Sequence, residues 1–221
     1  MSAPVEQGGA LAGGLRAGAS ELGLSLAPPQ VDQLLAYLAL ISKWNRVYNL
    51  TAVREPGEML TQHLLDSLAI VLPLQRQLGG RPASVLDVGA GAGLPGVALA
   101  VACPQLQVSC VDAVAKKVSF IRQAAAELGL RNLQGVHARV ESLAPKTWDV
   151  ITSRAFASLP DFVAWTRGSL AQGGVWLAMK GKRPDAEIAE LPEDVEVFHV
   201  EHLQVPGLEA ERCIVWMRHK N

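Results

Sequence analysis

A chain of 221 residues, 49% of them hydrophobic, is long enough for one sizeable core but cramped for two full domains. Its 20 basic and 21 acidic residues leave a formal charge of -1, so no global positive field marks a nucleic-acid binder, and any basic surface has to be local. The three cysteines, Cys103, Cys110 and Cys213, are odd in number and share no metal-ligand spacing. They suggest neither a disulfide framework nor a metal site, and they fit a reducing, cytoplasmic setting.

Residues 1–25 lack the basic flank and continuous apolar core of a signal peptide, and their Gly and Ala content reads as a flexible, loosely ordered leader. No apolar run reaches the roughly 18 residues that a bilayer span needs, so no membrane partner is expected. Residues 26–80 read as a helical cap. In "APPQVDQLLAYLALISKWNRVYNL", Val31, Leu34, Leu35, Leu38, Ile41 and Trp44 recur at helical spacing and make one apolar stripe. A second helix is predicted over "EPGEMLTQHLLDSLAIVL", with Leu60, Leu64, Leu68 and Val71 on one face and Pro73 near its end. The Gly-Gly-Arg-Pro at 79 to 82 separates the cap from the rest.

Residues 81–221 switch to short β-rich runs alternating with helical segments. "ASVLDV", "LQVSCVD", "LQGVHA", "WDVITSR" and "GGVWLAMK" read as strands; "AKKVSFIRQAAAELG", closed by Gly129, and "LPDFVAWTRGSL" read as helices. Such alternation implies a doubly wound, mostly parallel sheet with helices on both faces. The last two runs, "EVFHVEHLQV" and "ERCIVWMR", are joined only by "PGLEA", too short for a parallel crossover, so an antiparallel hairpin is expected to end the sheet. The five tryptophans, Trp44, Trp148, Trp165, Trp176 and Trp216, fall at periodic apolar positions and read as core.

The most informative stretch is "DVGAGAGLPG", residues 87–96, where Gly91, Gly93 and Gly96 take the G-x-G-x-x-G spacing between a strand end and a helix start. Glycines there let backbone approach a ligand and present N–H groups at a positive helix end, which suits a pyrophosphate or a carboxylate equally. Asp112 ends the second strand about 20 residues on, placed either to accept hydrogen bonds from ribose hydroxyls or to cap the next helix. A small NAD(P)-dependent reductase is one reading of this pair. It lacks a second nucleotide half, since the chain after "WDVITSR" is short and ends in the hairpin. A seven-stranded sheet finished by such a hairpin points instead to the Rossmann-like class I methyltransferases that use S-adenosyl-L-methionine; a binder of that molecule without catalysis is a third reading.

"NLTAV" (49–53), "HLLDSL" (63–68), "LDVGAGAGLPGVALA" (86–100), "VDAVAKKVSFI" (111–121), "SRAFASL" (153–159) and "MKGK" (179–182) resemble, in order, the motifs of the bacterial 16S ribosomal RNA (guanine-N7)-methyltransferases, also called glucose-inhibited division protein B. The resemblance runs from about residue 30 to 218. It implies methyl transfer from S-adenosyl-L-methionine, leaving S-adenosyl-L-homocysteine, to N7 of guanine 527 in the small ribosomal subunit or its precursor, with no metal. It also implies cofactor contacts at Gly89 and Leu94 of the loop and at Asp112, Val140, Glu141 and Arg154; the glycine spacing adds Gly91 and Gly93 to the expected cofactor-binding residues. Ala113 and the Ala/Gly-rich leader depart from the family pattern. A monomer is expected.

Guanine N7 carries an in-plane lone pair and no proton to lose, so no general base is required and alignment carries the chemistry. Arg154, after the fourth strand, is placed to meet a carboxylate or the target nucleotide. His63 and Asp66, three apart on one helix face, either position the base or form a surface pair. Asn49 reads either as a site residue or as a turn residue. Lys180, Lys182 and Arg183 form the one dense basic cluster near the fifth strand, either contacting RNA phosphates or lying on a solvated face.

Overall fold

The apolar alternation becomes seven strands: β1 (Ala83–Val88), β2 (Leu106–Asp112), β3 (Leu133–His137), β4 (Trp148–Arg154), β5 (Leu170–Lys180), β6 (Val195–Leu203) and β7 (Arg212–His219). They form one sheet in the order β3-β2-β1-β4-β5-β7-β6. The first five run parallel, and β7 inserts antiparallel between β5 and β6. The expected hairpin is present, with β7 its inner strand. The computed structural model describes residues 3–143 and 146–220.

Nine helices flank the sheet among the described residues: α1 (Ala3–Glu21), α2 (Pro28–Tyr48), α3 (Pro56–Met59), α4 (Asp66–Leu68), α5 (Val71–Leu78), α6 (Gly96–Ala102), α7 (Ala115–Glu127), α8 (Leu159–Thr166) and α9 (Asp185–Ala189). Because side chains alternate along a strand, each strand feeds two cores. Val85, Val108, Cys110, Val150 and Leu177 meet α1 to α7 on one face. Leu86, Val111, Ile151, Trp176 and Val215 meet α8 and the side chains around α9 on the other. Residues 26–80 thus share a core with the sheet rather than enclosing their own. Trp176, fully buried, donates its indole N–H to Thr166 Oγ1 at 2.8 Å, so its one polar group is satisfied.

Three expectations need correction. The leader is helical from Ala3 to Glu21, with Leu15 fully buried. A Cβ on Gly18 would lie 2.6 Å from Leu65 Cδ1 and one on Gly14 3.0 Å from Leu60 Cδ2, so these two glycines serve close helix packing. Residues 1 and 2 of that leader lie outside the described residues. The second helix passes from α3 through a π-helical segment, Leu60–Leu65, into α4 and breaks at Ala69 and Ile70. Pro73 therefore sits in the first turn of α5, where its missing N–H costs nothing, not at a helix end. Trp165 is 39% exposed, because α8 turns that side of its helix away from the core.

The strand order changes direction between β1 and β4, and the glycine loop leaves the carboxyl end of β1 at this switch point.

Candidate functional site

The loop after β1 is fixed from three sides. The N–H groups of Gly89 and Ala90 donate to the Val111 carbonyl at 2.9 and 3.2 Å. Asp87, fully buried, accepts the Gly96 N–H at 2.9 Å, and burial pushes its carboxyl up to about 7. From α2, the buried Tyr37 hydroxyl donates to the Ala92 carbonyl at 2.6 Å. Gly91 and Gly93 have φ of 59° and 87°, the left-handed region that glycine enters freely. Gly96 is there for space, since a Cβ on it would lie 2.2 Å from Cys110 Sγ. That contact lets α6 pack directly on β1 and β2.

Asp112 is 6% exposed at the end of β2. Its carboxylate accepts the N–H of Gly91 at 3.0 Å and of Val114 at 2.8 Å, with Lys117 Nζ at 3.7 Å. Asp112 thus ties down the chain entering α7 through the Val114 N–H and also faces a cavity of about 420 Å³. Val140, Glu141, Phe156 and Trp165 line the same cavity. Ala155, at φ 51°, turns the chain after β4 so that the Phe156 ring lies against Gly89. Only a glycine fits there, because an added Cβ would meet Phe156 Cδ2 at 2.2 Å. Phe156 in turn packs edge-on against Trp165, ring centroids 5.7 Å apart.

A second cavity of about 500 Å³ opens on the other side of the loop, lined by His63, Asp66, Leu94, Arg154, Lys180 and Arg212 among others. Gly89 and Ala155 line both cavities, so the two are adjoining compartments across one loop. Asp66, 2% exposed, accepts Arg154 Nη1 at 2.9 Å on one oxygen and Arg212 Nε at 2.7 Å on the other. A buried carboxylate with both oxygens bonded to guanidinium groups holds both arginines in fixed orientation. Arg154 Nη1 also donates to the Gln62 carbonyl at 2.9 Å. His63 Nε2 is 2.8 Å from Thr51 Oγ1; burial lowers its pKa and favours the neutral imidazole. Its Nδ1 has no hydrogen-bond partner among the described residues.

Most sequence-predicted residues gather here. Gly89, Gly91, Leu94, Arg154, His63 and Asp66 line the larger cavity, and Asp112, Val140 and Glu141 the smaller. Gly93 lines neither; its Cα faces Val97 and Ile121. His63 and Asp66 are not a surface pair, since both are buried and each bonds a different partner. The basic cluster is not one free patch. Lys180 lines the larger cavity but pairs with Glu187 at 2.7 Å, Arg183 pairs with Asp185 at 2.6 Å, and exposed Lys182 lies outside both cavities. Asn49 is a turn residue at φ 47° whose side chain accepts from Arg54 at 3.1 Å. Sequence reasoning missed Tyr37, Thr51, Trp165 and Arg212. Tyr37 falls within the helical period of α2, so its burial was available to inspection; Arg212 is placed only by the antiparallel insertion of β7.

Solved structures share the fold. TrmN from Thermus thermophilus aligns at TM-score 0.56 and 20% identity over 73% of this chain, which spans 53% of that one. The Burkholderia thailandensis 1,6-didemethyltoxoflavin-N1-methyltransferase aligns at TM-score 0.59 and 18% identity, covering 89% of this chain and 92% of that one. Both show the class I methyltransferase architecture. Relatives in sequence are far closer. The Ribosomal RNA small subunit methyltransferase G of Methylibium petroleiphilum is 66% identical over 211 residues, 96% of each chain. That of Paracidovorax citrulli is 63% identical over 95% of this chain and 90% of its own. With residues 30–215 also matching the family profile described as GidB, rRNA small subunit methyltransferase G, the chain belongs to that family.

Proposed function

We propose that this protein transfers a methyl group from S-adenosyl-L-methionine to N7 of a single guanine, guanine 527, of 16S ribosomal RNA in the small ribosomal subunit. The observation that carries the reading is the pair of compartments meeting at Gly89, one with a buried acid and aromatic wall, the other with arginines held by Asp66. A nucleoside bearing an amino-acid arm has that bipartite chemistry. The donor groups fit it: Asp112 has carboxylate lone pairs left for ribose hydroxyls, Trp165 and Phe156 offer aromatic surface to a purine, and Arg154 keeps N–H groups for a carboxylate.

When bound, S-adenosyl-L-methionine supplies an electrophilic methyl on a sulfonium, which N7 takes with its lone pair as the carbon–sulfur bonding electrons return to sulfur. The protein's part is alignment and exclusion of water. No side chain has to remove a proton from N7, which agrees with a cavity whose histidine is held neutral and whose carboxylate is committed to two arginines. The purine becomes cationic as transfer proceeds, and the backbone carbonyls of the loop, with their partial negative charge, are the groups of opposite sign beside it.

The test is transfer of labelled methyl to small ribosomal subunits, followed by borohydride and aniline, which cleave RNA at a cationic N7-methylguanine. One cleavage at guanine 527 is expected. Methylation without cleavage at any guanine refutes the N7 assignment.

A further inference from the structure

We propose that Arg212 binds a backbone phosphate beside the target guanine, as the outer arm of a fork whose inner arm is Arg154 and whose fulcrum is Asp66. The proposal rests on the reading of the protein as an RNA methyltransferase and adds a substrate-binding residue to it.

The geometry separates the two arms. Arg154 ends β4 next to Ala155, which belongs to both compartments, so it stands on the loop side. Arg212 begins β7 and stands with Lys180 and Gly181 of the β5 end, away from the acid-lined compartment. Nothing in chain order joins Arg212 to Asp66, 146 residues earlier; the sheet brings them together. The guanidinium of Arg212 spends Nε on Asp66 and Nη1 on the Glu211 carbonyl at 2.8 Å. Its Nη2 has no partner among the described residues, and so keeps two N–H groups to donate.

Charge in the larger compartment favours an anion. Its lining carries Arg154, Arg212 and Lys180 against one carboxylate, Asp66; Glu187, which offsets Lys180, lies outside it. Two features of the substrate then choose the anion. Arginine most often reads guanine at N7 and O6, but N7 has to stay open for the methyl group, so that bidentate contact is barred. Every nucleotide brings a phosphate, and a planar guanidinium already oriented by a buried carboxylate binds phosphate with little further ordering. Asp66 is a positioning residue, since it touches neither phosphate nor base and acts through both arms.

The test compares the full-length wild type with Arg212→Gln and Arg212→Lys, measuring KM for small subunits across salt concentrations and calorimetric binding of S-adenosyl-L-homocysteine. Arg212→Gln is expected to raise KM about tenfold and to make the dependence of log affinity on log salt shallower by about 0.7 to 0.9, the value of one phosphate contact. Arg212→Lys restores that slope, and both bind S-adenosyl-L-homocysteine within about twofold of wild type. Asp66→Asn keeps the slope but weakens both the small molecule and the subunit, because it loosens both arms. An unchanged slope in Arg212→Gln, or an equal loss of S-adenosyl-L-homocysteine affinity, overturns the proposal.

A second measurement needs no variant. In wild type, a neutral methylphosphonate at one of the two phosphates flanking the target guanine of an RNA fragment weakens binding about tenfold. Undiminished binding with either phosphate neutralised overturns the proposal. Failure of wild type to methylate unsubstituted subunits would instead refute the underlying function.

Discussion

The carboxylate of Asp87 accepts the backbone N–H of Gly96 at 2.9 Å, closing the glycine loop by tying the end of β1 to the first residue of α6. Its other oxygen has no partner among the described residues, and the whole side chain is buried. Burial raises the carboxyl to about 7 from the ordinary 3.8. Between those values the folded chain keeps a proton that the unfolded chain releases, so Asp87 stabilises the fold less as pH rises from about 4 to 7, and its contribution is flat above that. At 1.36 kcal/mol per pH unit the swing is of order 4 kcal/mol. Asp87→Asn does not titrate. The melting temperature of wild type minus that of the variant should therefore fall by several degrees between pH 4 and 7.5. A difference independent of pH would show that the group ionises in the folded state as it does in water.

Two glycines of the loop are there for different reasons, and alanine tells them apart. Gly96→Ala forces a Cβ to within 2.2 Å of Cys110 Sγ in a filled core, an overpacking cost of about 1 to 3 kcal/mol. Gly91→Ala meets nothing nearer than 3.9 Å and suffers only the left-handed backbone penalty, about 1 kcal/mol. Thermal melts should rank Gly96→Ala below Gly91→Ala. The reverse order would mean that the α6 packing relaxes easily.

Asp112 joins the loop to the proposed ribose site. Asp112→Ala removes the acceptor of two backbone N–H groups and the acid facing the smaller cavity. Calorimetry should show S-adenosyl-L-homocysteine binding weakened at least tenfold or so, the worth of one charge-assisted bond. Asp112→Asn, which keeps one acceptor oxygen, should fall between. Unchanged binding by the alanine variant would count against the assignment of this cavity to a nucleoside.

Leu15 measures whether α1 belongs to the fold. Its side chain is fully buried in the core shared with the sheet. Leu15→Ala is expected to cost about 2 to 5 kcal/mol in denaturant unfolding, as other buried leucines do. A loss below about 0.5 kcal/mol would return the segment to the status of a loose leader.

Trp165 offers an optical check on the smaller cavity. Trp148, Trp176 and Trp216 are at most 3% exposed and Trp44 lies outside both cavities, whereas Trp165 lines the smaller one and is 39% exposed. Addition of S-adenosyl-L-homocysteine should shift or quench the fluorescence of wild type, and Trp165→Phe should lose most of that response. An equal response in the variant would place the ligand elsewhere.

The seven strands, their mostly parallel order and the closing hairpin were legible in the amino-acid sequence because each rests on local physics. A short, nearly continuous apolar run bounded by turn residues marks a strand buried on both faces, and a link as short as the one between β6 and β7 admits only an antiparallel return. The glycine loop with Asp112 was legible for the same reason, since strand end, tight turn and helix start are neighbours in the chain. Local signals failed where packing reversed their meaning. Gly14 and Gly18 look like a flexible leader, yet they are what lets α1 approach Leu60 and Leu65.

The sequence by itself determined the seven strands, the family motifs and a glycine loop between strand end and helix start. Only the tertiary structure decided which charges stay available in the site. Lys180 and Arg183 look like a free basic cluster in the chain, but each meets a carboxylate, while Arg212, unremarked in its strand, reaches Asp66 and Arg154 across the sheet. Ion pairing acts over a few ångströms in space and is blind to separation along the chain, so the fold alone selects its partners.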